Sequence, residues 1–187
     1  MKNTGRCKEL LTNGAEVILE CSDNPARKTK YDLIAVYKNG MLINMDSQSP
    51  NKAVGEFIPR LFENVTLIRP ETVFGSSRID FYVEAEGRKI FMEVKGCTLA
   101  ENGVGLFPDA PTQRGSKHLR ELSKAAGQGY HAIIAFVIML NGVETVEPNE
   151  AIDQAFAREY SKAAASGVET KFIKCRCSAD KVELIQS

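Results

Sequence analysis

Residues 77–96 read SRIDFYVEAEGRKIFMEVKG, two runs of alternating polarity joined at Glu86-Gly87. In the first run Ile79, Phe81, Val83 and Ala85 alternate with Arg78, Asp80, Tyr82 and Glu84. In the second, Ile90, Met92 and Val94 alternate with Lys89, Phe91, Glu93 and Lys95. Period two on both sides of a Gly-containing turn predicts a β-hairpin. Successive strand side chains take opposite faces, so Glu93 and Lys95 point the same way. Asp80 lies in the polar register of its own strand and can face them. Two carboxylates and one ammonium among apolar neighbours can hold a divalent cation.

Working outward, the residues before the hairpin change from helical to strand spacing. Ala53, Val54, Phe57 and Ile58 follow a helix repeat, with Ser49 as the expected N-cap and Pro50 in the first turn. Pro59 should end or kink this helix. Glu56 on it is a candidate third acid for the site, and equally an ordinary surface residue. Val65-Thr66-Leu67-Ile68 reads as a strand leading to the hairpin.

After the hairpin, 97–112 is punctuated by Gly103, Gly105, Pro108 and Pro111 and reads as an irregular loop carrying Glu101 and Asp109. A long loop after a candidate catalytic strand is more often functional than most. A helix follows from Gln113 to Ala126, with Leu119, Leu122, Ala125 and Ala126 as its buried stripe. Its other side carries Arg114, Lys117, His118, Arg120 and Lys124, neighbours at helical spacing and candidates to hold phosphates. Ala132 to Leu140 is a continuous apolar run, expected of a strand buried on both faces. Asn149 is the expected cap of a helix that buries Ile152, Ala155, Phe156 and Ala163. Phe172 to Cys177 is a further strand, and Val182 to Ile185 a short last element. The alternation predicts an α/β (α+β) fold, a mixed β-sheet flanked by helices.

Residues 1–48 form a different region. Ala15 to Glu20 and Tyr31 to Tyr37 are short strands, and Asn39-Gly40 is a two-residue hairpin signal before Met41-Leu42-Ile43. The piece is too short to close a barrel, so its edges need cover. The basic run Arg27, Lys28 and Lys30 is a solvated loop or a phosphate contact. The expected division is therefore 1–48, a small β subdomain, and 49–187, an α/β domain.

Composition excludes more than it assigns. The formal net charge is zero, so any polyanion site must be a local patch. No apolar run has membrane-spanning length and no signal-peptide pattern is present, which predicts a cytoplasmic protein. Cys7, Cys21, Cys97, Cys175 and Cys177 make an odd number with no Cys-x-x-Cys pair, and reduced thiols are expected. Cys175-x-Cys177 reads as a strand with two buried thiols rather than a zinc site completed by a histidine.

With 24 acids and 14 lysines in 187 residues, about two acid-x-Lys tripeptides are expected by chance. Two occur, Glu93-Val94-Lys95 and Glu169-Thr170-Lys171. Context separates them: Asp80 and Glu93 lie on adjacent strands in matching registers, whereas Asp153 lies on a predicted helix away from Glu169. The first set suits phosphodiester hydrolysis with Mg²⁺ (or Mn²⁺) on Asp80 and Glu93, aided by the Val94 carbonyl or Glu56. Lys95 would then stabilise developing charge. There is no phosphate-binding Gly-rich loop, no Gly-x-Ser-x-Gly, and His118 and His131 make no Ser/His/Asp set.

Ser76-Ser77-Arg78-Ile79-Asp80-Phe81, Met92 to Ala100, Phe107-Pro108-Asp109-Ala110 and Arg114 to Leu122 together resemble the sugar fermentation stimulation protein family (SfsA-like), as does Asn3-Thr4-Gly5. The resemblance is good over most of 65–187 and loose over the first 64 residues. It implies a PD-(D/E)xK nuclease-like, restriction-endonuclease-like domain after an OB-like barrel, of which 1–48 would be a part beginning beyond the first strands. Asp80, Glu93 and Lys95 match the nuclease motif. It implies DNA binding without sequence preference, by a nuclease or by a non-catalytic regulator of sugar (maltose) metabolism genes. A homodimer is compatible with either. Tyr31 and Tyr37 are the residues of the β piece able to stack on bases.

Overall fold

The computed structural model describes residues 10–38, 40–179 and 181–185. The expectations for Cys7, Asn3-Thr4-Gly5 and Asn39 fall outside them. In the N-terminal region β1 (Val17–Cys21), β2 (Tyr31–Lys38) and β3 (Met41–Asn44) form a three-stranded antiparallel sheet. Helix α1 (Ser49–Leu61) follows. Strands β4 (Leu67–Phe74), β5 (Ser77–Ala85) and β6 (Arg88–Cys97) make an antiparallel meander. Then come β7 (Leu99–Glu101), β8 (Val104–Phe107), α2 (Gln113–Gly127), β9 (His131–Ile138), β10 (Val146–Pro148), α3 (Gln154–Ala165), β11 (Glu169–Cys177) and β12 (Val182–Ile185).

The main sheet has six strands in the order β12-β11-β9-β6-β5-β4. Its centre is parallel, β6 to β9 to β11, and antiparallel pairs finish both sides. Each parallel step needs a crossover, and α2 and α3 supply them on one face. Strand β9 alternates between two cores. Ala132, Ile134, Phe136 and Ile138 join Leu119, Leu122 and Phe156 from α2 and α3. Ile133, Ala135, Val137 and Met139 join Val54 and Ile58 from α1 on the other face. The continuous apolar run is thus a strand with two buried faces. Strand β4 contains Pro70 and is an edge strand, where a missing N–H leaves no rung unmade.

Several expectations are corrected. Residues 97–112 are not irregular: β7 and β8 pair as a hairpin, and β8 adds β10 in parallel. Three- and four-residue strands are too short to show periodicity. Ser49 does not cap α1; it is the first helical residue, and its hydroxyl donates to Asn44 Oδ1 and to the Asp46 carbonyl. Pro59 lies inside the helix, which continues to Leu61. Asn149 does not cap α3. The cap is Asp153, whose Oδ1 accepts from Phe156 N while Oδ2 accepts from Thr112 N. Asn149 instead closes the turn before it, its carbonyl accepting from Ile152 N and Asp153 N. Cys175 and Cys177 are buried free thiols with sulfurs 3.7 Å apart, and both histidines pair with glutamates elsewhere. No described helix is long and apolar enough to cross a membrane.

Asp153 ties the start of α3 to the start of α2 through one carboxylate. Asp153→Ala should lower stability by about 1–3 kcal/mol, since it removes a cap and strands the Thr112 donor. Asp153→Asn, which keeps one acceptor, should lose less. Urea unfolding followed by circular dichroism measures both.

Candidate active site

The site forms where two strands part. The β5–β6 ladder runs from Ala85↔Arg88 to Phe81↔Met92 and stops there. On the other side of β5, Pro70 pairs with Phe81 and Thr72 with Ile79, and Glu71, between them, has φ +54°. The strand turns at this point. Phe81, Val83 and Ala85 pack with α1, but Ile79 packs with α2, so the expected single alternation through Ile79 breaks at Asp80. Asp80 fills the gap. Its Oδ2 accepts from the Val94 N–H at 2.7 Å, a backbone group that the departing strand no longer satisfies. Its Oδ1 accepts from Asn51 Nδ2 at 2.8 Å, so the first turn of α1 holds the other oxygen.

Glu93 is 1% exposed, the most enclosed acid of the site. Its Oε1 accepts from Lys95 Nζ at 2.5 Å and from His118 Nδ1–H. Arg114 Nε–H donates to His118 Nε2 at 3.4 Å, consistent with the Nδ1–H tautomer that the bond to Glu93 requires. Glu93 Oε2 is buried with no hydrogen-bond partner. A buried carboxylate oxygen without a donor is costly unless something positive faces it.

The electrostatics follow from this packing. Burial pushes the Asp80 carboxyl up, and the charge of Glu93 adds to that. Lys95, Val94 N–H and Asn51 oppose the rise without cancelling it. For Glu93 burial also pushes up, but Lys95 and His118 together hold it below its ordinary value. Glu93 is therefore the firm anion, and Asp80 the acid whose ionisation a cation would favour. Among the described residues no three His, Cys, Asp or Glu side chains converge on one point. Two carboxylates with no nitrogen or sulfur cage suit a hard cation that keeps much of its water, as Mg²⁺ does.

The remaining candidates separate. Glu56 does not join the site. It is exposed and lines a groove of about 770 Å³ with Lys52 and Lys181, and Asn51 reaches Asp80 from the same helix. Residues 51 and 56 are five apart, so they cannot share a helix face. His118 is buried behind Glu93 and is not a surface contact for DNA. Lys117 Nζ donates to the Ser76 carbonyl at 2.6 Å, Lys124 pairs with Glu121 at 3.0 Å, and Arg120 lies 3.9 Å from Glu159. The basic face of α2 is thus largely occupied by the protein's own acceptors. Arg114 is exposed beside Lys95. In the N-terminal loop Arg27 forms two bonds to Asp32, at 2.6 and 2.5 Å, Lys28 is exposed, and Lys30 lies 5.8 Å over the Tyr31 ring. Tyr31 and Tyr37 are both exposed. The second acid-x-Lys tripeptide is a closed ion cluster, Glu169 with Lys171 and His131.

Sequence reasoning missed Asn51 and the support of Glu93 by His118. Asn51 carries no signal, being an ordinary first-turn residue. Arg114 and His118 were visible as an i, i+4 pair, but nothing in the spacing showed which way the pair faces.

Comparison with known proteins identifies the family of the chain. Residues 48–181 match the family model described as the sugar fermentation stimulation protein RE domain, and residues 1–45 match the SfsA N-terminal OB domain. A sugar fermentation stimulation protein homolog of Desulfitobacterium hafniense is 50% identical over 184 residues, covering 98% of this chain and 81% of its own. A homolog of the same description from Clostridium beijerinckii is 48% identical over 186 residues, covering 98% and 82%. The structure of Pyrococcus furiosus SfsA in complex with Ca²⁺ is similar at a TM-score of 0.88 and 29% identity, covering 99% of this chain and 80% of that one. The chain belongs to the sugar fermentation stimulation protein family.

Proposed function

We propose that this protein is a divalent-cation-dependent phosphodiesterase acting on DNA, with Asp80 and Glu93 as cation ligands and Lys95 as the catalytic cation. The observation that carries the reading is Glu93 Oε2, buried and unpartnered beside a second carboxylate in the same pocket of charge. The Pyrococcus furiosus relative is described in complex with Ca²⁺, another hard cation that takes oxygen ligands. Bound Mg²⁺ or Mn²⁺ would polarise the phosphate and favour ionisation of a water.

The chain's own residues do the rest. His118 and Lys95 occupy Glu93 Oε1 and leave Oε2 for the cation. Val94 N–H and Asn51 fix the Asp80 carboxylate in the gap between strands. Lys95, only partly exposed, can stabilise negative charge developing on the phosphate. Arg114 is the basic residue placed to hold a neighbouring phosphate, and Lys28, Lys30, Tyr31 and Tyr37 offer a second, sequence-tolerant contact. A second reading is a DNA-binding regulator of sugar metabolism that does not hydrolyse DNA, and the name of the relatives bears on its sugar-metabolism part alone.

Purified protein incubated with plasmid and with single-stranded DNA in Mg²⁺ or Mn²⁺ separates the two. Cleavage should vanish in Asp80→Ala and Glu93→Ala, and fall about 10²- to 10³-fold in Lys95→Ala. Intact DNA under all of these conditions would sink the hydrolytic reading. Binding in either case should weaken linearly in log–log terms with added salt.

The raised Asp80 carboxyl makes a separate prediction. Folded protein holds that proton more tightly than unfolded chain, so this group's contribution to stability falls as pH rises from about 4 through the raised value. In EDTA near neutral pH, Asp80→Asn should therefore melt above the wild type, and the gap should close in acid. Asn51 can turn its amide to accept from the new one. Added Mg²⁺ should raise the melting temperature of the wild type but not of Asp80→Asn. Scanning calorimetry reads both.

A further inference from the structure

We infer that the cavity beside Lys95 is a binding pocket for one nucleotide, so that the site takes a strand end or a single-stranded nucleotide and not the interior of an intact duplex. This rests on the phosphodiesterase reading and names its substrate class. The cavity measures about 310 Å³ and lies between the 44–50 segment, the end of β6 and the 107–115 segment. That is the lower end of the range for small-ligand pockets, suited to a single nucleotide and far too small for paired strands.

Its position connects it to the acids. Lys95 lines it and bonds Glu93, and Arg114 lines it and bonds His118, which bonds Glu93. A phosphate between Lys95 and Arg114 would thus be adjacent to the cation ligands. Helices α1 and α2 both begin at its wall, where Asp46 accepts from Gln48 N and Asp153 from Thr112 N, so the helix ends add little free positive potential and the cavity's cations are Lys95 and Arg114. Asp46 and Asp109 balance the two cations, so the lining is formally neutral and suits a single phosphate better than a polyphosphate. Asp109 is half-buried with no hydrogen-bond partner among the described residues, and it can accept from a base amino group or a sugar hydroxyl. Met45 and Phe107 supply apolar wall for the base.

The cavity is also a built feature. The 44–50 segment crosses so close to β6 that a Cβ on Gly96 would meet Pro50 Cγ at 2.9 Å. A residue directly after Lys95 must therefore lack a side chain for this wall to form. A nucleotide inside a duplex would have to leave its stack to enter, and a strand end or a single strand has much less to break.

Calorimetric titration with deoxynucleoside 5′-monophosphates and with inorganic phosphate, in Ca²⁺ buffer, tests the pocket without requiring turnover. The nucleotide should bind at least tenfold more tightly than phosphate. Ala110→Trp, which fills the cavity, should weaken nucleotide binding at least tenfold while the Ca²⁺-induced rise in melting temperature persists. Asp109→Asn, which removes the charge of the proposed acceptor, should also weaken nucleotide binding, by less than Ala110→Trp. Where cleavage occurs, linear single strands should be cut at least tenfold faster than covalently closed duplex. Nucleotide no tighter than phosphate, binding unchanged in Ala110→Trp, or equal cutting of closed duplex would each overturn the inference. Nucleotide binding in the pocket with no cleavage of any DNA would uphold the pocket and sink the hydrolytic reading.

Discussion

The structure around the site depends on an enclosed glutamate. Burying a carboxylate is expensive, and the expense is offset only where charges and donors meet it with good geometry. Glu93 has that on one oxygen, from Lys95 and His118, and lacks it on the other. The strand that carries it, β6, and its neighbour β9 are at the centre of the sheet, packed on both faces. Such a core has little freedom to relax and solvate the unpartnered oxygen. Asp80 extends the same tension, because burial and then the charge of Glu93 push its carboxyl above the ordinary carboxylate range. The result is a pair of enclosed carboxylates with one oxygen that no donor meets.

The helices serve that arrangement more than they serve a surface. His118 can meet Glu93 only if α2 is fixed against the sheet, and several contacts fix it. Glu121 Oε1 accepts from the Ser76 hydroxyl, and Lys117 donates to the Ser76 carbonyl. Gly75, with φ +56°, lets the turn pass under Glu121, since a Cβ there would come within 2.1 Å of Glu121 Oε2. Thr112 caps the helix, its Oγ1 accepting from Gly115 N, and is itself tied to Asp153. The basic residues of α2 are therefore mainly positioning devices. The helix presents fewer free cations than a helical wheel suggests, and among its described basic residues Arg114 stands both exposed and next to the site.

The N-terminal sheet contributes differently. It exposes Val17, Leu19, Tyr31, Tyr37 and Met41, apolar and aromatic side chains on short strands. Its link to the larger domain, the 44–50 segment, lies close against Gly96 through Pro50, which leads into α1. The same short stretch thus closes one wall of the cavity and places Asn51 on Asp80.

Much of this was legible from the residues alone. Alternation in 77–96 gave the hairpin, the apolar run 132–140 gave the doubly buried strand, and Leu119, Leu122 and Ala125 gave the inner face of α2, because burial imposes a period on local sequence. The shared face of Glu93 and Lys95 was legible for the same reason, whereas Asp80 comes beside them through the turn of β5 and not through the paired register that the alternation predicted. Chance produced the same tripeptide at Glu169, and its pairing with His131 and Lys171 could not be read from spacing. Neither could the turn of β5 at Asp80, the short strands β7, β8 and β10, the replacement of Glu56 by Asn51, or the burial of His118. Each of these depends on which element lies opposite, at separations of 25 or more residues for Glu93 with His118 and Asp80 with Asn51. Local sequence determined which residues were available for the chemistry. Tertiary packing decided which oxygen was left without a partner, since only the full set of neighbours determines how a buried charge is satisfied.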